Sequence, residues 1–387
     1  MAHNVNIGGT WREVEAMWVN INGVWREIEK LWTNIGGTWR EANIEKVIEY
    51  IGTITPMGSN MGSTSATSIG NYALFGGGST SDAPGYTHGN VYAYNTSLVM
   101  STAPAFSRTR RNLAATSVGD YALFGGGGSG HADEHYVTVD AYSSNLTRST
   151  PNALTTNASR LAATSVGDYA LFGGGRADRY SVTANVNAYN TSLVRSSPTA
   201  LSLSRRNLTA TSIGNYALFG GGSSLKDGFD SSYYDRVDAY NTTLVRHTAT
   251  ALSISRHDLS STSIDDYALF GGGYNESTTF GTVDAYNTSL VRSTSTAFSN
   301  ARRSLSATSL GGCAIFGGGN ISIYISNPEL FMVDIYDKSL VRTSYEYATG
   351  RDDLAATSIG NYALFGGGNY YSAATRPSNT VHAFHYN

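Results

Sequence analysis

Short runs of apolar and β-branched residues alternate with polar, glycine-containing turns along most of the chain. One stretch shows the pattern clearly: strand-like pieces at Leu113–Val118, Tyr121–Gly125, Val137–Tyr142 and Leu146–Thr150 are separated by the Asn, Asp, Gly and Ser residues that hairpin turns require. No apolar run approaches the ~18 residues of a membrane-spanning helix. The pattern predicts an all-β protein built from short antiparallel strands.

The same four-strand unit is repeated seven times. The segment Tyr-Ala-Leu-Phe-Gly-Gly-Gly that starts at Tyr72 recurs almost unchanged, and the first glycine of its triplet falls at residues 76, 125, 173, 220, 271, 317 and 366. Four strands per unit, repeated radially, predict a seven-bladed β-propeller. The first strand is rich in small residues, as at Ala114 and Ala115, which suits the innermost strand, where the blades converge.

The repeated unit resembles kelch repeats over residues 47–387. The resemblance rests on the glycine run after the second strand, on the aromatic third strand at Val237–Tyr240, and on an arginine three residues before the first-strand leucine, as in Arg205 and Leu208. It implies a kelch-type propeller. The sequence departs from the family in the fourth strand, where Leu193-Val194-Arg195 stands in place of the usual tryptophan.

The two ends of the chain are expected to meet. The seventh unit ends on its third strand, Val381–His385, while a spare strand at Val47–Thr53 precedes the first unit. We expect the spare strand to complete the last blade and close the ring. Residues 47–387 would then form the propeller and residues 1–46 a separate segment.

Five tryptophans spaced seven residues apart mark the N-terminal segment: Trp11, Trp18, Trp25, Trp32 and Trp39. A helix is excluded because Gly8-Gly9, Asn22-Gly23 and Gly36-Gly37 recur every 14 residues and signal two-residue hairpin turns. With further turns at Glu15-Ala16 and Glu29-Lys30, the pattern predicts a small β-meander.

In this meander Ile21 faces Val24, Asn20 faces Trp25, Trp18 faces Glu27, and all five tryptophans share one face. So small a sheet cannot cover apolar groups on both faces, which predicts attachment to a partner or oligomerisation through the tryptophans. The Trp/Gly repeats resemble segments of tail and appendage proteins of phages of Gram-positive bacteria. That resemblance implies a place in a virion, beside other tail proteins.

Composition narrows the possible functions. Charged residues are only 14% and the net charge is −3, which gives no electrostatic reason to expect nucleic-acid binding. Cys313 is the single cysteine, so an internal disulfide framework is excluded. The first residues lack the basic and apolar regions of a secretory signal, and we expect synthesis in a cytoplasm.

The loops between second and third strands vary most between units, and strand alternation should place them on one face. They are rich in Tyr, Ser, Asn, Gly and Asp, as antibody loops are, because tyrosine offers rigid amphipathic contact area. The alternative is neutral drift in exposed loops. The tyrosines predicted to bind a ligand are Tyr233, Tyr234, Tyr274, Tyr324, Tyr370 and Tyr371.

An arginine recurs at one position before the first strand: Arg110, Arg205, Arg256, Arg302 and Arg351. Near the propeller axis these guanidinium groups would converge on the channel mouth and bind carboxylate or phosphate. The alternative is structural, since an arginine that belongs to the repeat can tie neighbouring blades together.

Other groupings are better explained as ordinary polar loops. The run His131–His135 has no helix to align metal ligands, and Asp227, Asp230 and Asp235 lack an EF-hand pattern. Neither the histidine cluster of copper radical oxidases nor the aspartate box of sialidases occurs. We therefore expect no cofactor and no metal.

The sequence favours a non-enzymatic binding protein. The preferred hypothesis is a virion or tail-appendage protein that attaches through its N-terminal segment and recognises a host-surface glycan or protein through its propeller loops. The alternatives are an intracellular, cytoplasmic kelch scaffold that binds a protein partner and, less favoured, a carbohydrate-active enzyme.

Overall fold

The computed structural model describes residues 48–387 apart from 82–84, 132, 277, 322–329, 349 and 372–374, and before residue 48 it describes only the backbone of six short strands. All regular structure in the described residues is β-structure, as predicted. None of these residues forms a helix long and apolar enough to cross a membrane. The chain divides into two compact units, Met1–Glu49 with Tyr386–Asn387, and Tyr50–His385.

The N-terminal strands pair as hairpins across the predicted glycine turns. They are Asn4–Ile7 with Thr10–Glu13, Trp18–Ile21 with Val24–Glu27, and Leu31–Ile35 with Thr38–Ala42. The register is the predicted one: Ile21 faces Val24, Asn20 faces Trp25, and Trp18 faces Glu27. Among the described strands, pairing in this unit stays within each hairpin. The turns predicted between hairpins, and the five tryptophan side chains, lie outside the described residues.

The larger unit is a seven-bladed β-propeller in which every blade is an antiparallel sheet. Blades 1 to 3 consist of Ser65–Ile69, Tyr72–Gly76, Val91–Asn95 and Met100–Ala103; of Ala114–Val118, Tyr121–Gly125, Val139–Ser143 and Arg148–Ser149; and of Ala162–Val166, Tyr169–Gly173, Val186–Asn190 and Arg195–Ser196. Blades 4 and 5 consist of Thr209–Ile213, Tyr216–Gly220, Val237–Asn241 and Arg246–Thr248; and of Ser260–Ile264, Tyr267–Gly271, Val283–Asn287 and Arg292–Ser295.

Blade 6 has longer outer strands: Ser306–Leu310, Cys313–Gly317, Leu330–Tyr336 and Arg342–Ala348. Blade 7 is formed by Asp352–Ile359, Tyr362–Tyr371, Val381–Tyr386 and, from the start of the chain, Ile48–Ile54, with Thr375–Pro377 paired to its second strand. Two further hairpins extend from second-to-third-strand loops, Ser223–Lys226 with Phe229–Tyr233 in blade 4 and Tyr274–Asn275 with Thr278–Thr279 in blade 5.

The first strands lie innermost. Each is a neighbour of the first strand of the next blade all the way round the ring, and blade 7 adjoins blade 1. Small side chains are needed there because seven backbones approach one axis. The small residues Ala114 and Ala115 predicted that the first strand is innermost, and the structure confirms this.

Each blade packs against the next through a glycine. In blade 2 the second strand ends at Gly125, and a Cβ atom at that residue would lie 2.7 Å from the ring of Phe172 in blade 3. The same contact joins Gly366 of blade 7 to Phe75 of blade 1, again at 2.7 Å. Any side chain in place of the glycine would push the blades apart.

In blades 1 to 6 a third-strand tyrosine ties the blade to the segment that enters it. The hydroxyl of Tyr142 donates to the carbonyl of Pro104 at 2.6 Å, and that of Tyr240 donates to the carbonyl of Thr199 at 2.8 Å. Both rings are fully buried, and burial raises the pKa of each phenol. The hydroxyl hydrogen bonds therefore satisfy the one polar atom that each buried ring carries.

The fourth strands begin later than the sequence suggests. Leu146 was expected to open such a strand, but its φ is 64° and it belongs to the turn, so that the strand is Arg148–Ser149. In blade 1 the equivalent turn is stabilised by Asn95, whose side-chain oxygen accepts the N–H groups of Ser97 at 3.0 Å and Val99 at 2.9 Å. Local hydrogen bonds thus hold a leucine in the left-handed region.

The strand Ile48–Ile54 lies beside Val381–Tyr386 as the fourth strand of blade 7, one residue later than predicted. The Tyr50 hydroxyl is 2.7 Å from Nδ1 of His382, and its ring centroid is 4.0 Å from that of Tyr347 in blade 6. Aromatic packing therefore reinforces the only blade whose strands come from both ends of the described chain.

Deleting residues 1–56 should destabilise the ring, whereas deleting residues 1–44 should not. The longer deletion removes the outer strand of blade 7 together with Tyr50, and we expect a loss of at least about 3 kcal/mol in the free energy of unfolding. Urea denaturation of the two truncations measures this difference. Equal midpoints would contradict the role of the closing strand.

Candidate functional site

The second-to-third-strand loops and the entrances to the first strands share one face, which we call the loop face. The pairing of Ala114 with Gly125 brings the start of a first strand to the end of the second strand beside it. Just beyond this pair, the backbones of Arg111 and Gly128 form a bridge. The mouth of the central channel opens on this face.

One residue per blade surrounds the channel mouth, two residues before the first strand in blades 1 to 6 and at the start of that strand in blade 7. These seven residues, which we call the mouth ring, are Ser63, Asn112, Arg160, Asn207, Asp258, Ser304 and Asp353. They line a cavity of about 260 Å³. All have a positive φ, between 48° and 56°. A shared position with varied side chains is what a binding site on a repeated framework requires.

A closed circle of backbone hydrogen bonds connects the mouth ring. The N–H of each ring residue donates to the carbonyl of its counterpart in the preceding blade, over distances of 2.8–3.2 Å, and the N–H of Ser63 completes the circle by donating to Asp353. The peptide groups of the circle satisfy one another. A ligand at the mouth would therefore be recognised mainly by side chains.

Two predicted tyrosines meet around a buried histidine outside the mouth ring. The ring centroid of His257 lies 5.1 Å from that of Tyr233 and 4.2 Å from that of Tyr274, and the guanidinium of Arg303 lies 4.3 Å from the centroid of Tyr274. We call these four residues the aromatic row. His257 is fully buried, and its Nδ1 is 3.3 Å from Nδ2 of Asn207 in the mouth ring.

The aromatic row links the loops of blades 4 and 5 to blade 6. Contacts within the row cover much of the surface of both tyrosines. The aromatic side chains that face solvent in the described loops are different residues: Tyr86, Tyr180 and Phe229, exposed to 59%, 61% and 78%. Phe229 follows Gly228, whose Cβ position would be 3.5 Å from the carbonyl of Arg179. Sequence reasoning missed these three, although they lie in the same loops.

The remaining predicted tyrosines contribute less surface. Tyr234 is half-buried, and its N–H donates to the carbonyl of Gly222 at 2.9 Å. The hydroxyl of Tyr370 is 3.2 Å from Oγ1 of Thr380. Tyr324 and the side chain of Tyr371 lie outside the described residues.

The five repeated arginines are buried within the blades and do not line the channel mouth. None has exposed surface, so a ligand cannot reach Arg110, Arg205, Arg256, Arg302 or Arg351. The first four pair with a buried third-strand aspartate: Arg110 with Asp140 at 2.7 Å, Arg205 with Asp238 at 2.9 Å, Arg256 with Asp284 at 2.9 Å, and Arg302 with Asp334 at 2.6 Å. This geometry favours the structural alternative and corrects the expected position of these groups.

In two blades the arginine and the aspartate are both absent. In blade 1 the arginine and aspartate positions hold Met61 and Tyr92, and in blade 3 they hold Ala158 and Asn187. A buried arginine without a carboxylate would be costly, and so would the reverse. Burial lowers the pKa of Arg205, while the charge of Asp238 acts in the opposite direction.

Blade 7 keeps the arginine without the aspartate. His382 takes the carboxylate position, opposite Phe365, and Arg351 donates instead to the carbonyls of Gly367 and Thr380. Burial, with a smaller contribution from the charge of Arg351, lowers the pKa of His382 to about 3. The histidine is therefore neutral beside the arginine at neutral pH.

Several loop residues have side chains of the kinds that bind metal ions. Within the described part of the chain, no group of three or more His, Cys, Asp and Glu side chains is placed to hold a metal ion. Asp230, considered above as a calcium ligand, instead accepts two hydrogen bonds from Arg206, from Nε at 3.2 Å and Nη2 at 3.0 Å. Glu134 is hydrogen-bonded to Tyr136 at 3.3 Å.

Comparison with known proteins does not assign a family. No family model matches the chain. No curated protein matches it either. The function is therefore inferred from the architecture of the propeller and the chemistry of its loop face.

Replacing Asp238 with Tyr should destabilise the protein by about 3–5 kcal/mol, because Arg205 would remain buried without its carboxylate. Adding Arg205→Met should restore more than half of that loss, since the pair would then reproduce Met61 and Tyr92 of blade 1. Urea denaturation of the single and double variants tests the pairing. A double variant as unstable as the single one would show that charge compensation is not the reason for the pattern.

Proposed function

We propose that the protein is a non-enzymatic recognition module whose propeller binds a host-surface glycan or protein on the loop face. The observation that carries the proposal is the exposure of Tyr180 and Phe229 from adjacent blades, with Tyr86 in blade 1, above a rigid repeated framework. Exposed aromatic side chains held on such a framework are typical of binding surfaces.

The chemistry of the loop face suits a glycan. A sugar can stack its apolar C–H face on an aromatic ring while its hydroxyl groups hydrogen-bond to the amide and carboxylate groups nearby. The mouth ring supplies such groups through Asn112 and Asp258. Tyr233 and Tyr274 contact His257, which lies against Asn207 of the mouth ring, and are retained in the proposed site as positioning residues.

The kelch resemblance of the repeats and the phage-tail resemblance of the N-terminal segment extend the proposal. We propose that the protein is part of a phage tail or appendage, where the hairpins of residues 1–46 attach to other virion proteins or to a second copy. The propeller would then present its loop face to the host surface. Trp11, Trp18, Trp25, Trp32 and Trp39 are the proposed attachment residues.

Replacing Tyr180 and Phe229 together with Ala should weaken binding to Gram-positive host cells or to a glycan array without changing the melting temperature. Each lost anchor should cost about 1–3 kcal/mol, or roughly 5- to 150-fold in affinity. Val194→Ala with Val245→Ala is the matched control, because these valines are 60% and 52% exposed in the fourth-strand turns of the same two blades, on the other face.

Loss of binding in the valine control alone would place the ligand on the opposite face. Turnover of a glycan by the wild-type protein would favour an enzyme. Capture of a cytosolic protein, with no binding to cells or glycans, would favour an intracellular scaffold.

Replacing Trp18 and Trp25 with Ser should abolish oligomerisation or incorporation into a particle, because tryptophan is strongly enriched at the energetic centres of interfaces. The propeller should keep its melting temperature. Size-exclusion chromatography with light scattering, and assembly with the neighbouring virion proteins, measure the effect. If the double variant assembles normally, the tryptophans contribute only to the folding of their own hairpins.

A further inference from the structure

The exposed aromatic side chains of the loop face lie at two separate junctions between blades. Tyr86 lies in the loop of blade 1, beside blade 2, and we call it the first platform. Tyr180 and Phe229 lie in the loops of blades 3 and 4, and we call this pair the second platform. Among the described residues of the second-to-third-strand loops of blades 5 to 7, no aromatic side chain is exposed. The exposed aromatic surface of the described loops therefore lies along one arc, over blades 1 to 4.

Both platforms include a glycine that contacts the neighbouring blade. Gly85 directly precedes the tyrosine of the first platform, and its N–H donates to the carbonyl of Ser129 in blade 2 at 3.0 Å. Gly228 directly precedes the phenylalanine of the second platform, and a Cβ atom at that residue would lie 3.5 Å from the carbonyl oxygen of Arg179 in blade 3. Each glycine has a φ of 86°, a conformation that other residues rarely adopt. The two junctions therefore present an exposed ring in the same way.

Hydrogen bonds hold the backbone of each platform in place. The carbonyl of Tyr86 accepts the N–H of Thr80 at 3.1 Å, which closes the loop of blade 1. The side chain of Asp178 accepts the N–H groups of Tyr180 at 2.8 Å and of Ser181 at 2.9 Å. A loop that is already ordered loses little conformational freedom when a ligand binds, which favours affinity.

Two arginines add support beneath the second platform. Arg176 donates to the carbonyls of Asp178 and Arg179, at 2.9 and 2.8 Å, and so holds the loop that carries the tyrosine. Arg206 donates to both carboxylate oxygens of Asp230, at 3.2 and 3.0 Å, in the strand that carries the phenylalanine. Both guanidinium groups are therefore used within the loops and act as positioning groups for the exposed rings.

Polar side chains surround both platforms. In the loop of blade 2 that contacts Gly85, the side chains of His131 and Glu134 are exposed. In the hairpin of blade 4, Lys226 and Asp227 are exposed just before the second platform. A sugar ring needs this combination, because its C–H face stacks on one aromatic ring while its hydroxyl groups hydrogen-bond at the edge.

Separate sugar units fit the two platforms better than a protein surface does. Protein partners are anchored mainly by a cluster of aromatic residues near the centre of the interface, from which water is excluded. On the loop face the junction of blades 2 and 3 separates the two platforms, and each platform has polar neighbours. The arrangement therefore favours a ligand whose stacking units recur along a chain.

We propose that the two platforms are subsites for different sugar units of one polysaccharide chain, which lies across blades 1 to 4. The inference rests on the proposed recognition function and names its ligand class: a chain of several sugar units, and not a single sugar. Contact at one platform makes contact at the other intramolecular, so that a chain long enough to reach both binds far more tightly than a short one.

Binding of the full chain to arrayed homologous oligosaccharides of glucose, galactose, mannose and N-acetylglucosamine, from the monosaccharide to long oligomers, tests the proposal. In at least one series we expect affinity to rise about tenfold or more with length, because only long oligomers reach both platforms. Tyr86→Ala and Phe229→Ala should each remove most of that gain while the melting temperature stays unchanged.

Tyr345→Ala is the matched control, because this tyrosine is 37% exposed on the outer strand of blade 6 and lies in none of the loops. Affinity that does not rise with length in any series, including a lack of binding to the whole array, would overturn the polysaccharide inference. A gain with length that survives Tyr86→Ala would also overturn it. Loss of cell binding after protease treatment of the cells would overturn it in favour of a protein ligand. In each of these cases, cell binding that still requires Tyr180 and Phe229 leaves the proposed function standing.

Discussion

The contact between a glycine on one blade and a phenylalanine ring on the next is the constraint on which the ring depends. Gly125 lies against Phe172, and Gly366 of the last blade lies against Phe75 of the first in the same way. A phenylalanine ring fills this place at every step of the circle; at Gly76 and Gly271 it comes from Phe106 and Phe298, which lie in the segment before the next blade. The near-identity of the second strands and the spacing of the glycine triplets both follow from this requirement.

The fold could be predicted from the sequence because that constraint leaves a strong repeat. Two details could not. Leu146 lies in a turn with positive φ, a conformation that leucine rarely adopts and that no propensity indicates. The aromatic contacts of Tyr50 with Tyr347 and His382 join segments more than 290 residues apart, so only the folded ring brings them together.

The candidate site was predicted only in part, for physical reasons. The grouping of the loops on one face follows from strand alternation, but the exposure of a loop side chain depends on how its loop folds. The strand Phe229–Tyr233 exposes Phe229 and turns Tyr233 towards His257, and composition does not distinguish the two. The burial of Arg205 did have a signal in the sequence, because arginine and aspartate are lost together in two blades.

The closed circle of peptide hydrogen bonds at the channel mouth separates architecture from specificity. Because the backbone of the mouth ring satisfies its own donors and acceptors, a ring side chain such as that of Asn112 is not needed to hold the blades in place at this level, whereas that of Asn207 contacts His257 of the next blade. Asn112 can therefore change without disturbing Asp258, and ring positions of this kind can vary one at a time. Such a mouth allows related chains to acquire new ligand preferences by single substitutions while they keep the same propeller.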